Sequence, residues 1–263
     1  NLYAVKRILV TGANGQLGTT LKQQSLGSED RWVFCGRNEM DITDSHSITS
    51  FMEKQSFDFC INCAAYTHVE GAETEIDAAY ALNVEGVKNL VAACNEKQVT
   101  LLHISTDYVF DGTKKTPYVE TDPTAPLNQY GKSKLQGEHH IQQKAKAFYI
   151  IRTSWLYSKT LGANFYSAIL NKAKNGEPLT VVNDQVGTPT DVAHLAEFLF
   201  QMIKKEPEYG LYHFSDEQIM SWYDLAVAIV KEHQLEVPVT PSTTSGGGAV
   251  RPIYSPLFSN KPF

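Results

Sequence analysis

A chain of 263 residues with 42% hydrophobic and 20% charged side chains carries enough apolar material for one large core or two unequal ones, and nothing in that balance reads as disordered. Its net charge of −6 argues against a surface for nucleic acid or anionic lipid, both of which need clustered Lys and Arg. No apolar run is long enough to span a bilayer and no signal-peptide pattern opens the sequence, so the expectation is a cytoplasmic protein without nucleic-acid or membrane partners.

The first element is an apolar strand, KRILVTG at 6–12, followed by a helix beginning at Gln16. Between them TGANGQLG sets Gly12, Gly15 and Gly18 in a G-x-x-G-x-x-G spacing, with Gln16 and Leu17 among them. Glycines suit that junction because the turn is tight, the backbone must approach a pyrophosphate closely, and the helix N-terminus must offer bare N–H groups to the anion. The strand before and the helix after make a dinucleotide site the reading of this motif. The second strand, RWVFCG at 31–36, ends at Arg37, where an NAD-specific protein often keeps an acid for the ribose 2′-hydroxyl. An arginine there suits a 2′-phosphate and favours NADPH over NADH, the plain alternative being an exposed arginine at a strand end. Asp41 and Ile42, slightly further on, are candidates for the adenine pocket.

A helix over 45–54 leads to a third strand, FDFCINCAA at 57–65. Its Cys60-Ile61-Asn62-Cys63 mimics a metal or redox motif, but alternation along a strand sends the two thiols to opposite faces, and no second pair exists. No metal is expected. A long helix over 77–97, a strand TLLHISTD at 100–107, a helix carrying QYGKSKLQGE at 129–138, and a strand AFYIIRTSW at 147–155 complete a regular alternation. Nearly continuous apolar strands separated by helices imply an α/β fold, a doubly wound parallel sheet of Rossmann type covered on both faces. Within QYGKSKLQGE, Tyr130 and Lys134 stand four apart and share a helix face, either as a surface pair or as a site. His139 and His140 diverge on that helix and read as a solvated face.

After Trp155 the rhythm loosens. Helices are expected over 162–175, 191–204 and 221–234, strands over 178–184 and 210–215, and loop over 240–263, which is rich in Gly, Pro and Ser. The division is therefore a dinucleotide-binding domain at 1–155 and a smaller, mainly substrate-binding lobe at 156–263, with some segments returning to the sheet.

These motifs give the chain a specific likeness. TGANGQLG, DITD at 41–44, NCAAYTHVEGAE at 62–73, STDYVFDGT at 105–113, YGKSKLQGE at 130–138, RTSWLY at 152–157, NDQVGTPT at 183–190 and RPIYSPL at 251–257 resemble, in order, those of the dTDP-4-dehydrorhamnose reductase family. That family lies within the extended short-chain dehydrogenase/reductases. The resemblance implies NADPH- or NADH-dependent reduction of the C4 ketone of a dTDP-linked deoxysugar by Thr106, Tyr130 and Lys134. Tyr130 would protonate the developing alkoxide, Thr106 would donate to the same oxygen, and Lys134 would hold the nicotinamide ribose and stabilise the Tyr130 phenolate. It also implies that Ala64, Ala65, Tyr66 and Thr67 run along the cofactor, and that Gly131 and Ser133 leave it room. Asp107 and Trp155 would contact the sugar, and Asn164, Gln185 and Arg251 are candidates for holding the sugar or its diphosphate. For Trp155 a core aromatic is the competing reading; for the last three, a surface or turn residue. A homodimer is among the family's expectations.

The family pattern usually carries Asn where this chain has Tyr254, and it continues with a further helical segment. Two alternatives remain: a nucleotide-sugar epimerase or dehydratase of the same superfamily, and a non-catalytic regulatory subunit like that of methionine adenosyltransferase. Tyr108 after Thr106-Asp107, where a dehydratase wants Glu, counts against the dehydratase.

Overall fold

The computed structural model describes residues 4–261; the expected N-terminal domain and C-terminal loop also took in 1–3 and 262–263, which lie outside them. The apolar segments RILVT, FCIN, TLLHIST and FYIIRT form strands as their pattern demands: β1 (Arg7–Thr11), β3 (Phe59–Asn62), β4 (Thr100–Thr106) and β5 (Phe148–Thr153), with β2 (Arg31–Cys35) outside β1. Alternation sends Ile8, Val10, Ile61 and Leu102 to one face, and Leu9, Cys60, Leu101 and Ile150 to the other. The first face is covered by α1 (Gln16–Gln24) and α7 (Val192–Lys205), the second by α2 (Ser45–Met52), α4 (Val87–Lys97) and α5 (Gln129–Lys144). Each fully buried Leu or Ile in these layers contributes roughly 1.5–3 kcal/mol. Cys60 and Cys63 pack on opposite faces, as the strand period requires.

All strands of the central sheet run parallel in the order β2-β1-β3-β4-β5-β10, the last being Gly210–His213. The chain moves outward from β1 to β2, then crosses β1 to lay down β3. That reversal leaves a crevice beyond the carboxyl ends of β1 and β3, where helices on opposite faces diverge. The far edge strand, β10 (Gly210–His213), comes from the C-terminal half and pairs with β5, His213 beside Arg152.

Where sequence reading expected one helix over 77–97, the structure has α3 (Ile76–Tyr80), a π-helical stretch at Ala81–Gly86, and α4. The wider turn brings buried Asn83 to the Tyr66 backbone: Asn83 accepts from Tyr66 N at 2.9 Å and donates to Tyr66 O at 3.0 Å and Ser133 Oγ at 2.9 Å. A local backbone departure that satisfies one buried amide is a familiar use of such bulges.

The lobe is built from β6 (Leu156–Tyr157), α6 (Phe165–Lys174), β7 (Leu179–Val182), β8 (Val186–Gly187), β9 (Thr190–Asp191), β11 (Met220–Ser221), α8 (Trp222–Glu232) and β12 (Val239–Ser242). Its own core joins Tyr166, Ile169, Leu179, Leu225 and Ile229. Helix α6 starts three residues later than its apolar pattern suggested, because Asn164 and Ser167 form a reciprocal cap that fixes the first turn. The segment expected to be loop contains β12, paired in parallel with β7. Pro241 hid it; in a two-stranded sheet a missing N–H on the open side costs no ladder bond. Further along, Tyr254 and Leu257 bridge to Val186 and Tyr118. Among the described residues no helix is long and apolar enough to cross a membrane.

Candidate active site

A cavity of about 800 Å³ opens over the crevice, floored by the ends of β1, β3, β4 and β5 and walled by the lobe at 163–165 and Trp222. The sheet delivers the glycine loop, the β3 and β4 ends and the start of α5 to this one space, although the sequence separates them by more than a hundred residues.

At the β1–α1 end, Gly12 has φ +62°, and a Cβ there would lie 2.6 Å from Ala64 N; at Gly18 it would lie 2.6 Å from Ala13 Cα. Neither position can carry a side chain without moving backbone. Gly15 caps α1 with no side-chain hydrogen bond, so the first-turn N–H groups of Gln16, Leu17 and Gly18 keep their donors for an anion at the positive end of the helix. This cradle fits the pyrophosphate of a dinucleotide. Gly18→Ala should weaken NADPH binding by about tenfold or more, a loss near 1.4 kcal/mol, measured by calorimetry; an unchanged Kd in a folded variant would remove the cradle from the binding site.

Arg37, Asp41 and Ile42 line the adjoining end of the cavity. The Arg37 side chain is 74% exposed and pairs with Asp41 at 3.0 Å. Burial raises the Asp41 carboxyl, but hydrogen bonds from Thr43 and Arg37, with the Arg37 charge, together outweigh it and hold the group below its ordinary value. Asn14, which sequence reading passed over, also lines this end and stands where a Gly36 side chain would otherwise be. Ala64, Ala65 and Thr67 line the cavity, but Tyr66 does not: its hydroxyl donates to Glu75 at 2.5 Å, on the outer side of the turn.

Thr106 ends β4 and accepts from Tyr108 N at 3.1 Å, starting the short turn at Asp107–Val109, while its hydroxyl donates to Asp107 Oδ1 at 3.2 Å. Asn128 caps α5 by accepting from Gly131 N at 2.8 Å, which sets Tyr130 in the first turn. Gly131 and Ser133 do not make room for the cofactor, contrary to expectation. A Cβ on Gly131 would meet Tyr108 O at 2.2 Å, and Ser133 is buried against Asn83; the first lets the helix start approach the loop after β4, the second packs it on the π-helical stretch. Lys134, 3% exposed, donates from Nζ to Ile104 O at 2.7 Å and lies 3.5 Å from His103 Nε2.

Burial pushes the Tyr130 phenol up to about 12, with Asp107 adding to the rise and the Thr106 hydrogen bond opposing it. Sequence reading expected Lys134 to bring this phenol down; here Lys134 is not among the groups that shift it, burial sets the direction, and one Lys134 N–H is given to Ile104 O. Burial in turn pushes Lys134 down to about 8. Asp107 is pushed up to about 7 by burial, against hydrogen bonds from Ser255 at 2.6 Å and from Thr106. Ser255, within RPIYSPL, was missed because its loop shows no periodicity that would bring it to β4.

Trp155 has a left-handed φ of +47° and stacks on Trp222 with centroids 3.6 Å apart and planes 3° from parallel. Gly187 lies under it so closely that a Cβ would stand 2.4 Å from the indole. The stack forms a cavity wall, with Phe165 tilted against Trp222 at 4.6 Å. Asn164 also lines the cavity and donates to Gln16 Oε1 at 2.9 Å, tying lobe to cradle. Gln185 and Arg251 fall outside the lining. Gln185 accepts from Trp222 Nε1 at 3.2 Å and donates to Thr244 at 2.9 Å, while Arg251 donates to Glu70 at 2.8 Å. A guanidinium suits phosphate, but it suits a nearby carboxylate equally.

A doubly wound sheet with a glycine cradle at its switch point, and a tyrosine and lysine one helical turn apart beside the next strand end, defines a nucleotide-dependent oxidoreductase of the extended short-chain dehydrogenase/reductase class. More narrowly, the chain belongs to the family described as the RmlD substrate binding domain, whose model matches residues 6–262, the family of the dTDP-4-dehydrorhamnose reductases. It is 41% identical to the dTDP-4-dehydrorhamnose reductase of Aggregatibacter actinomycetemcomitans over 86% of this chain and 79% of that protein. The spore coat polysaccharide biosynthesis protein SpsK of Bacillus subtilis is 39% identical over 95% of this chain and 88% of its own length. Among solved structures, the dTDP-4-dehydrorhamnose reductase of Bacillus anthracis, in complex with NADP, superposes with a TM-score of 0.94 at 37% identity, covering 98% of this chain and 92% of that one.

Proposed function

We propose that the protein reduces the C4 ketone of dTDP-4-dehydro-L-rhamnose to give dTDP-L-rhamnose, using NADPH in preference to NADH, as a cytoplasmic enzyme and a homodimer. The observation that carries this reading is the meeting of Thr106, Tyr130 and Lys134 with the glycine cradle in one cavity. The cofactor, held by the cradle, Ala64, Ala65 and the Arg37 end, supplies the hydride when bound. A phenol near 12 stays protonated throughout the neutral range, which is the state a general acid needs, so Tyr130 donates its proton to the C4 oxygen. Thr106 donates a hydrogen bond to that oxygen and limits the charge it accumulates. Asp107, braced by Ser255, accepts from a sugar hydroxyl, and the Trp155–Trp222 wall covers the less polar side of a deoxysugar. The lobe then selects the sugar while the domain at 1–155 binds the cofactor.

The test follows the loss of reduced nicotinamide absorbance with dTDP-4-dehydro-L-rhamnose. Substrate-dependent turnover is expected; none from a folded, NADPH-binding protein would overturn the assignment. The Arg37 assignment has its own check. A charge-assisted contact contributes about 1.5–3 kcal/mol, so Arg37→Ala should raise the KM for NADPH by about tenfold or more and leave that for NADH nearly unchanged. Equal changes for both cofactors would show that Arg37 does not read the 2′-phosphate.

A further inference from the structure

Beneath the cavity a row of buried polar groups crosses three strands to reach α5. Thr11 Oγ1 donates to Asn62 Oδ1 at 2.7 Å, and Asn62 Nδ2 meets His103 Nδ1 at 3.1 Å. Lys134 Nζ follows, 3.5 Å from His103 Nε2. Thr11, Asn62 and His103 are each 1% exposed. Two donors converging on one oxygen, the Thr11 hydroxyl and the Ala64 N–H, orient the row. Ala64 N–H can only donate, and it is shared between Asn62 Oδ1 at 3.2 Å, the nearer acceptor, and Thr11 Oγ1 at 3.4 Å. The Asn62 carboxamide therefore turns its oxygen to Ala64 and Thr11 and its NH₂ to the histidine.

With an amide donor on Nδ1, that nitrogen is bare, and the neutral ring carries its proton on Nε2. The ring is neutral because burial, with the Lys134 charge adding to it, holds His103 well below its ordinary value. Its Nε2–H consequently faces Lys134 Nζ. An ammonium gives that N–H nothing to donate to, whereas a neutral amine offers a lone pair.

We propose, on the reductase reading above, that His103 is a positioning residue whose Nε2–H receives Lys134 as a neutral amine once Lys134 has returned a proton to Tyr130. The balance is simple. The Tyr130 O–H bond breaks as the C4 oxygen gains its proton; one Lys134 N–H then breaks, its proton going to the phenolate and its electron pair staying on Nζ. The new lone pair accepts from His103, and water entering through the cavity mouth returns the proton. Each turnover thus draws one proton from solvent. A lysine near 8 is suited to losing and regaining a proton at neutral pH.

The other groups facing Lys134 do not take this part. Glu138, on its own helix, is bound by Arg152 and Ser105. Tyr130, also on α5, is the proton's destination. Cys63, after β3, stays a neutral thiol because burial pushes it up to about 12. Ile104 O already accepts from Nζ.

The first measurement is the tautomer itself, from the imidazole nitrogen shifts of labelled His103 in the full chain with NADP⁺ bound. Proton on Nε2 is expected; proton on Nδ1 would overturn the inference. The second is the titration of the Lys134 Cε resonance, assigned with Lys134→Arg. Asn62→Asp puts a carboxylate on Nδ1, moves the ring proton there, and leaves Nε2 free to accept from the ammonium. Asn62→Asp/His103→Phe keeps the new charge and removes the ring. The Lys134 midpoint should rise by about one pH unit more in the single variant than in the double, and the alkaline limb of kcat should move with it. Equal midpoints in the two would overturn the proposal, since a histidine that only fills space changes the rate and not the titration. Neither resonance measurement uses the sugar, so a shifted midpoint without turnover faults the reductase assignment alone.

Discussion

Tyr130→Phe should lower kcat by about a thousandfold, within the range of 10² to 10⁴ that a positioned general acid contributes, while leaving the Kd for NADPH within a few fold. The substitution removes one oxygen and keeps the ring, which packs edge-on against Tyr108 with centroids 5.9 Å apart, so the helix start is not disturbed. Thr106 remains to hydrogen-bond the C4 oxygen but has no acidic proton to give. Residual catalysis should therefore come from hydride positioning and the Thr106 hydrogen bond. Single-turnover kinetics with saturating NADPH would separate the chemical step from binding. A fall of less than tenfold in that step would mean that the proton comes from elsewhere, Asp107 near 7 being the next group to test.

Arg152→Leu should cost about 3–5 kcal/mol of stability, the range for removing one partner of a buried ion pair. Glu138 has no exposed surface, and Arg152 reaches it from Nη2 at 2.6 Å and from Nε at 3.0 and 3.2 Å. Ser105 donates to the same carboxylate. Without the guanidinium, a carboxylate would be left inside the sheet layer with a single hydroxyl for company. Glu138→Leu combined with Arg152→Leu should recover most of the loss, because both charges then disappear together. Urea unfolding of the two variants decides the matter; a cost below about 1 kcal/mol for Arg152→Leu would show that water reaches the pair. The functional link is spatial. Glu138 lies one helical turn beyond Lys134, so this pair clamps the helix bearing both Tyr130 and Lys134 onto β4 and β5.

How far the sequence could be read depended on distance along the chain. The parallel sheet was legible because β1, β3, β4 and β5 are buried on both faces and so are apolar almost throughout. The cradle was legible because its three glycines, strand and helix are local. The stack of Trp155 on Trp222, 67 positions apart in the chain, was not, because no local period carries contacts between a strand end and a distant helix start. Nor were Ser255 on Asp107, or the displacement of Gln185 and Arg251 from the cavity, since each depends on how an aperiodic tail folds back. The π-helical stretch was hidden for another reason: its residues keep a helical pattern, and the bulge answers to the hydrogen-bonding demand of a single buried Asn83. Tyr130 illustrates a limit in energetics, since the sequence shows the lysine four residues on but not the burial that raises the phenol.

The near-parallel indoles at 3.6 Å have one more consequence. The chain holds three tryptophans; Trp32 lies apart, against Phe34 and Phe200, and the other two share a cavity wall. Two of the three indoles therefore border whatever enters the cavity, and the third does not. Emission from the Trp155–Trp222 pair, with Trp32 as internal reference, is thus the place to look for entry of a ligand, without a label and without turnover.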